Sequence, residues 1–97
     1  MSALVVGLVS INTAEQDALA EYMRVTTPLL EKVGAKMKQQ FQIAETVIGD
    51  PIVESVMVVE YPSLEAMDGV FGSDEYKAVI PYRDRAFRTY NVSVVSS

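Results

Sequence analysis

The sequence predicts an α+β fold: a four-stranded antiparallel sheet in the ferredoxin-like βαββαβ order, with its helices on one face. Three observations lead there. Stretches of strand length and stretches of helical period follow one another as strand, helix, strand, strand, helix, strand. The two middle strands are joined by a tight turn, Gly49-Asp50-Pro51. Two of the strands are apolar on both sides, although the plan supplies helices for only one side. At 97 residues the chain holds a single domain, taken as residues 1–97.

The elements follow in order. The apolar N-terminal stretch lacks the basic start, cleavage signature and length of a signal peptide or membrane span, and its Val-rich part, Leu4 to Ile11, is a strand. A cytoplasmic location is expected. Thr13 with Gln16 three residues later forms a capping box and opens a helix. Leu19, Tyr22, Met23 and Thr26 make its apolar face, with Asp17, Glu21 and Arg24 opposite. Pro28 interrupts that helix, and Thr27, Pro28 and Gly34 also read as cap, first turn and stop of a new one. A kinked helix or two abutting helices are expected. From Ala35 to Ile48 the pattern alternates. Met37, Phe41, Ile43 and Val47 share one face, giving a long, half-buried strand.

Val53 to Tyr61 pairs with it as an antiparallel hairpin. Ser63 caps a helix carrying Leu64, Met67, Val70 and Phe71 inward, and Gly72 ends it. Ser73 caps the next helical segment, which is expected to run through Pro81 towards Tyr90. Tyr90 to Val95 is the last strand. Leu4, Val6 and Leu8 oppose Val5, Val9 and Ile11 across the first strand, and Val56 and Val58 oppose Val53, Met57 and Val59 across the third. A sheet apolar on both sides needs a second cover. A second copy packed face to face is the simplest one, so a homodimer with a barrel-like core is expected.

Composition narrows the chemistry. Cysteine, histidine and tryptophan are absent. Disulfides, thiol catalysis, Fe–S clusters and thiolate zinc sites are therefore excluded. The commonest general base and metal ligand are missing too, which leaves Asp, Glu, Tyr, Lys or water for acid–base work. No metal site or cofactor is predicted. The net charge of −5 argues against nucleic acid and against anionic membrane surfaces as partners.

From about residue 56 to 95 the sequence resembles a family of small bacterial proteins of unknown function within the dimeric α+β barrel superfamily. The resemblance rests on Glu60, Pro62, Ser63, Glu65, Ala66, Ser73, Glu75, Tyr76, Arg83 and Arg85. The second strand departs from the pattern, lacking a glycine-rich start. The resemblance implies the dimeric barrel but no activity. The superfamily includes cofactor-independent monooxygenases, haem-degrading enzymes, lactone isomerases and dehydratases. Its haem enzymes and many of its monooxygenases lean on His or Trp, which this chain lacks.

The segment Tyr76 to Tyr90 holds the candidate site. Taken as one helix, it presents Tyr76, Val79, Phe87 and Tyr90 on one face, with Arg83 in their midst. Lys77, Asp84, Arg85 and Arg88 fall on the other side, solvated or paired with surface acids. An inward guanidinium must find an anion or acceptors. It pairs with Glu60, Glu54, Glu45 or an acid of a partner copy, binds the carboxylate or enolate oxygen of a small ligand, or lies exposed where Pro81 shifts the helical phase. Tyr22, Tyr76 and Tyr90 point inward and are read first as packing residues, and Thr26 as capping its own helix. Glu54 and Glu60 share the strand face of Val56 and Val58, as partners of Arg83 or as a carboxylate base.

Two functions remain open. One is a binder, or an enzyme without a cofactor, acting on a small, anionic, partly apolar molecule held by Arg83, Tyr22, Tyr76 and Glu60. The other is a non-catalytic dimeric structural or regulatory module.

Overall fold

The computed structural model describes residues 2–51 and 53–95; Met1, counted with the first apolar stretch, lies outside them. The elements are β1 (Ala3–Ile11), α1 (Gln16–Val33), β2 (Lys36–Gln42), β3 (Ser55–Tyr61), α2 (Leu64–Phe71), α3 (Asp74–Ala78), α4 (Ile80–Ala86) and β4 (Phe87–Val94). The sheet is antiparallel, in the order β2-β3-β1-β4. The predicted α+β, ferredoxin-like plan is therefore the observed one.

α1 is a single run of 18 residues with Pro28 inside it, not two abutting helices. The apolar stripe of Tyr22, Val25 and Leu29 packs on the core through the proline and holds the helix together. The capping box is not formed. The helix begins only at Gln16, and its N-cap, Glu15, makes no side-chain cap. Asn12 organises the approach instead: its side-chain oxygen accepts from the Ala14 N–H at 3.1 Å and its carbonyl from the Glu15 N–H at 3.0 Å. Gly34 closes the helix as expected, at φ 79°. Its N–H and that of Ala35 reach back to the carbonyls of Glu31 and Leu30. These bonds form a Schellman motif, which glycine adopts without strain.

β2 corrects the sequence reading twice. It stops at Gln42, and every residue in it is exposed, because it is an edge strand beyond the cover of the helices. Its register with β3 also shifts between Met37 and Gln39. That bulge moves the side-chain alternation by one. Met37 stands opposite Val59, on the helix-covered face, and Phe41 opposite Val56, on the other face. The two do not share a side. Val47 and Ile48, expected in the strand, lie beyond it at 83% and 90% exposure.

β4 starts three residues early. The predicted helix to Tyr90 ends at Ala86, and Phe87 already has extended backbone angles, φ −121° and ψ 132°. Phe87 pairs with Ile11, and the Asn12 N–H donates to the Ala86 carbonyl at 2.8 Å. Pairing with β1 outweighs the helical period of the segment.

The core lies between helices and sheet. Ala3, Val5 and Tyr61 from the strands pack with Tyr22, Val70 and Tyr76 from the helices and with Val79 between α3 and α4. The opposite sheet face has no helix. The pairs Leu4↔Glu60, Val6↔Val58 and Leu8↔Val56 place these residues there, with Phe41 beside Val56. Leu4 is 39% and Phe41 48% exposed. The molecule is accordingly a two-layer slab, with Cα extents of 36 × 34 × 16 Å.

Candidate functional site

Four elements bring one polar cluster to the inner layer. α1 supplies Tyr22 from its buried stripe. The stripe is locked one turn on, where the Thr26 hydroxyl donates to the Tyr22 carbonyl at 2.9 Å, the internal bond expected of Thr26. α3 supplies Tyr76. Its helix is capped by Ser73, whose hydroxyl accepts from the Tyr76 N–H at 3.1 Å and donates to the Val70 carbonyl at 2.7 Å. α4 supplies Arg83, and β4 supplies Tyr90 from its helix-covered side, opposite Val9.

The three phenol oxygens form a triangle. Tyr22 and Tyr76 are 3.0 Å apart, Tyr22 is hydrogen-bonded to Tyr90, and the Tyr76 hydroxyl donates to Tyr90 at 3.5 Å. The rings meet edge to face, with centroids 5.9 Å apart for Tyr22–Tyr76 and for Tyr22–Tyr90. Arg83 closes the cluster on one side. Its Nη1 donates to the Tyr76 hydroxyl at 3.3 Å, and its guanidinium carbon lies 5.4 Å from the Tyr90 ring centroid.

Burial governs the electrostatics. It raises the Tyr22 hydroxyl well above the ordinary phenol range, with neighbouring Tyr90 and Tyr76 adding to the effect. Burial also raises Tyr90, and pushes Tyr61 beneath the cluster up to about 12. These groups are neutral donors at physiological pH.

The cluster borders an open cleft of about 600 Å³ between α2, α3, α4 and β4. Met67, Phe71, Phe87, Val92 and Val94 form its apolar wall; Tyr76, Tyr90, Arg83, Asp84 and Arg88 form its polar one. Arg83 has five N–H donors. One goes to Tyr76 and two to Asp84 at 3.3 and 3.4 Å, which leaves two without a partner among the described residues. The Arg83 side chain is 27% exposed and that of Asp84 is 65% exposed, so this ion pair sits at the solvent edge of the cleft.

The structure thus gathers Tyr22, Tyr76 and Arg83 of the sequence-predicted site and separates Glu60 from them. Glu60 stands opposite Leu4 and Lys36 on the uncovered sheet face, with the whole sheet in between. Strand alternation is the reason: Glu60 and Tyr61 point to opposite sides. The proposed pairing of Arg83 with Glu60, Glu54 or Glu45 is not formed among the described residues. Glu54 instead accepts from the Ile11 N–H and pairs with Arg88 at 3.2 Å. Arg85 pairs with Glu15 at 2.9 Å, in keeping with its surface reading. Sequence reasoning placed Asp84 and Arg88 on the solvated side and so missed them as lining residues. Arg88 sits where the β1–β4 register shifts, which no helical wheel could show. Among the described residues no cluster of acidic side chains is arranged to hold a metal ion.

Comparison with known proteins identifies a family. A family model described as Domain of unknown function (DUF1330) matches residues 2–97. The chain belongs to this family. No curated protein matches it. Among solved structures, the chain is similar to the RPA0582 protein of unknown function from Rhodopseudomonas palustris. The identity is 23%, the TM-score is 0.83, and the match covers 99% of this chain and 82% of that one. Rv0793 from Mycobacterium tuberculosis matches at 20% identity and TM-score 0.67, over 100% of this chain and 95% of that one. A dimeric protein of unknown function and ferredoxin-like fold from Bacteroides fragilis matches at 7% identity and TM-score 0.59, over 99% and 96%. At these identities the likeness concerns the fold. It agrees with the expectation of a ferredoxin-like fold.

Proposed function

We propose that this protein binds a small, anionic, partly apolar molecule in the cleft over β4. One observation carries the reading: an inward arginine at a half-apolar cleft has two N–H donors without a partner among the described residues, and its carboxylate partner is an exposed neighbour. A buried structural ion pair would saturate both partners. Here a ligand carboxylate can take the fork of Arg83 while its apolar part lies on Phe71, Phe87 and Val92. The protein acts as a homodimer in this reading, with the Val6, Leu8, Val56 and Val58 face closed by a second copy.

Thermal shift against a panel of alkyl and aryl carboxylic acids tests this. A ligand at a hundred times its Kd stabilises by about 2.7 kcal/mol, and roughly 4–8 °C of Tm follows each kcal/mol in a domain of this size. The shift should vanish in Arg83→Gln. Equal shifts in the wild type and in Arg83→Gln, or none with any acid, contradict the reading. In the latter case the uncovered sheet face favours the alternative, a non-catalytic dimeric module.

A further inference from the structure

Beyond the ends of β2 and β3 the chain forms an arm, residues 43–51 and 53–54. Its base is closed by the Ile43 N–H, which donates to the Glu54 carbonyl at 2.8 Å. Residues 43–50 are all exposed. The tip, Val47-Ile48, is 83% and 90% exposed, more than any other large apolar side chain among the described residues. Glu45 and Asp50 flank the tip, two residues to either side, and the arm holds no Lys or Arg. The open cleft has the complementary character. Phe87, Val92 and Val94 belong to its apolar wall, and Arg83 and Arg88 outweigh Asp84 in charge on its polar side.

Placement matches character. Arm and cleft lie at the same end of the sheet, since Gln42 pairs with Ser55, Ser55 with Val9, and Val9 with Tyr90. The returning limb of the arm lies on the uncovered side. There Pro51, Val53 and Glu54 line a small hollow with Ser10 and Thr89, which stand opposite each other on the face of Leu8. The cleft is on the helix-covered side, so within one chain the sheet stands between that limb and the cleft. A second copy on the uncovered face meets the arm directly.

From this we infer that the arm of each copy seats its Val47-Ile48 tip on the apolar wall of the other copy's cleft and closes its open mouth. The inference rests on the dimer of the reading above and completes the ligand site of that reading. Symmetry brings the parts together. β2 and β4 are the opposite edges of the sheet. A two-fold axis between two facing sheets, running along the strands, sets β2 of one copy beneath β4 of the other. The same axis keeps both arms at one end, beside the start of the other copy's β4. Glu45 and Asp50 then meet a rim of opposite charge, which helps to fix the register of the contact. The site is shared: one chain supplies Arg83 and the aromatic groups, and the other supplies the apolar cover that keeps water from the ligand.

The chain has no cysteine, so introduced thiols report without interference. Mild oxidation of the double variant Ile48→Cys/Val92→Cys should give a two-chain band on a non-reducing gel, and neither single variant should give one. Thiol loss without that band places the arm on its own chain and overturns the inference. So does no oxidation, or an equal band in a single variant. Should the double variant fail to fold, Val47→Ser/Ile48→Ser decides alone, because it alters only side chains that are exposed in the single chain. Sedimentation should show its dimer dissociation constant raised by roughly 100-fold or more, since each dimer loses two buried tips. An unchanged constant, or a wild-type monomer, overturns the inference. These measurements need no ligand, so they are separate from the thermal shifts that test binding at Arg83. A two-chain band with no acid shifting the Tm sinks only the ligand reading, and an acid shift with no such band sinks only this one.

Discussion

At the scale of the residue, the hydroxyl triangle determines how the core responds to mutation and to pH. Tyr22 is 4% exposed, and its hydroxyl serves both Tyr76 and Tyr90. Tyr22→Phe keeps the ring and its packing but leaves buried neighbours short of a partner. It should cost about 1–3 kcal/mol, seen as a lower urea midpoint at unchanged m-value. The same hydroxyls predict alkaline sensitivity. Tyr61 titrates at about 12 in the folded chain, against about 10 for a free tyrosine, and Tyr22 and Tyr90 are displaced the same way. A raised phenol pKa means the folded state holds its proton longer than the unfolded state. The associated stability is complete below about pH 10 and is lost as pH climbs towards about 12. Urea midpoints should be level up to about pH 9 and fall above pH 10. A level profile through that upper range would contradict the neutral, buried hydroxyls.

At the scale of the element, Gly34 and the bulge of β2 are the instructive positions. Gly34 sits at φ 79°, and a Cβ there would meet the Pro62 Cγ at 3.4 Å. Gly34→Ala should destabilise by about 1–2 kcal/mol, from left-handed strain alone, measurable as a lower Tm. The stop after α1 was legible because Gly is the residue that fits such a site. The bulge was not. A one-residue shift in β2 leaves no mark on the alternation of Met37, Gln39 and Phe41, because it depends on how β3 takes up the pairing. The end of α4 was hidden for the same reason. Phe87 continues the helical face of Tyr76 and Val79 in sequence, yet its backbone is claimed by Ile11 of β1. Tyr76 and Arg83 still fall together, because α3 and α4 cover most of the expected helix. Phe87 and Tyr90 join them from the strand, on one side because the register shift at Arg88 moves the alternation by one.

At the scale of the whole molecule, the slab has one finished side and one unfinished side. The central strands present Leu4, Val6, Leu8, Val56 and Val58 to the side without helices. A homodimer that covers this face should be broken by a charge at its centre. Val58→Glu places a carboxylate opposite Val6, and light scattering at micromolar concentration should show the mass of one chain where the wild type shows two. A wild-type monomer would contradict the dimer, and a dimeric Val58→Glu would move the contact elsewhere. The cleft lies on the finished side, so this substitution leaves the cleft's own residues unchanged.

Sequence alone determined the order of elements, the antiparallel plan, the two-sided apolar sheet and the chemistry excluded by the missing Cys, His and Trp. Those properties follow from local periodicity and composition, which are carried along the chain. It also singled out Arg83 and the inward tyrosines, since helical spacing gives a direction to each side chain. Only the tertiary structure decided which groups meet. It set Glu60 behind the sheet, brought Asp84 and Arg88 to the cleft, and closed Tyr22, Tyr76 and Tyr90 into one hydrogen-bonded ring. These outcomes depend on strand register and on contacts between α1, α3, α4 and β4. Register and interelement contact are properties of pairing between distant segments, and no single segment encodes them.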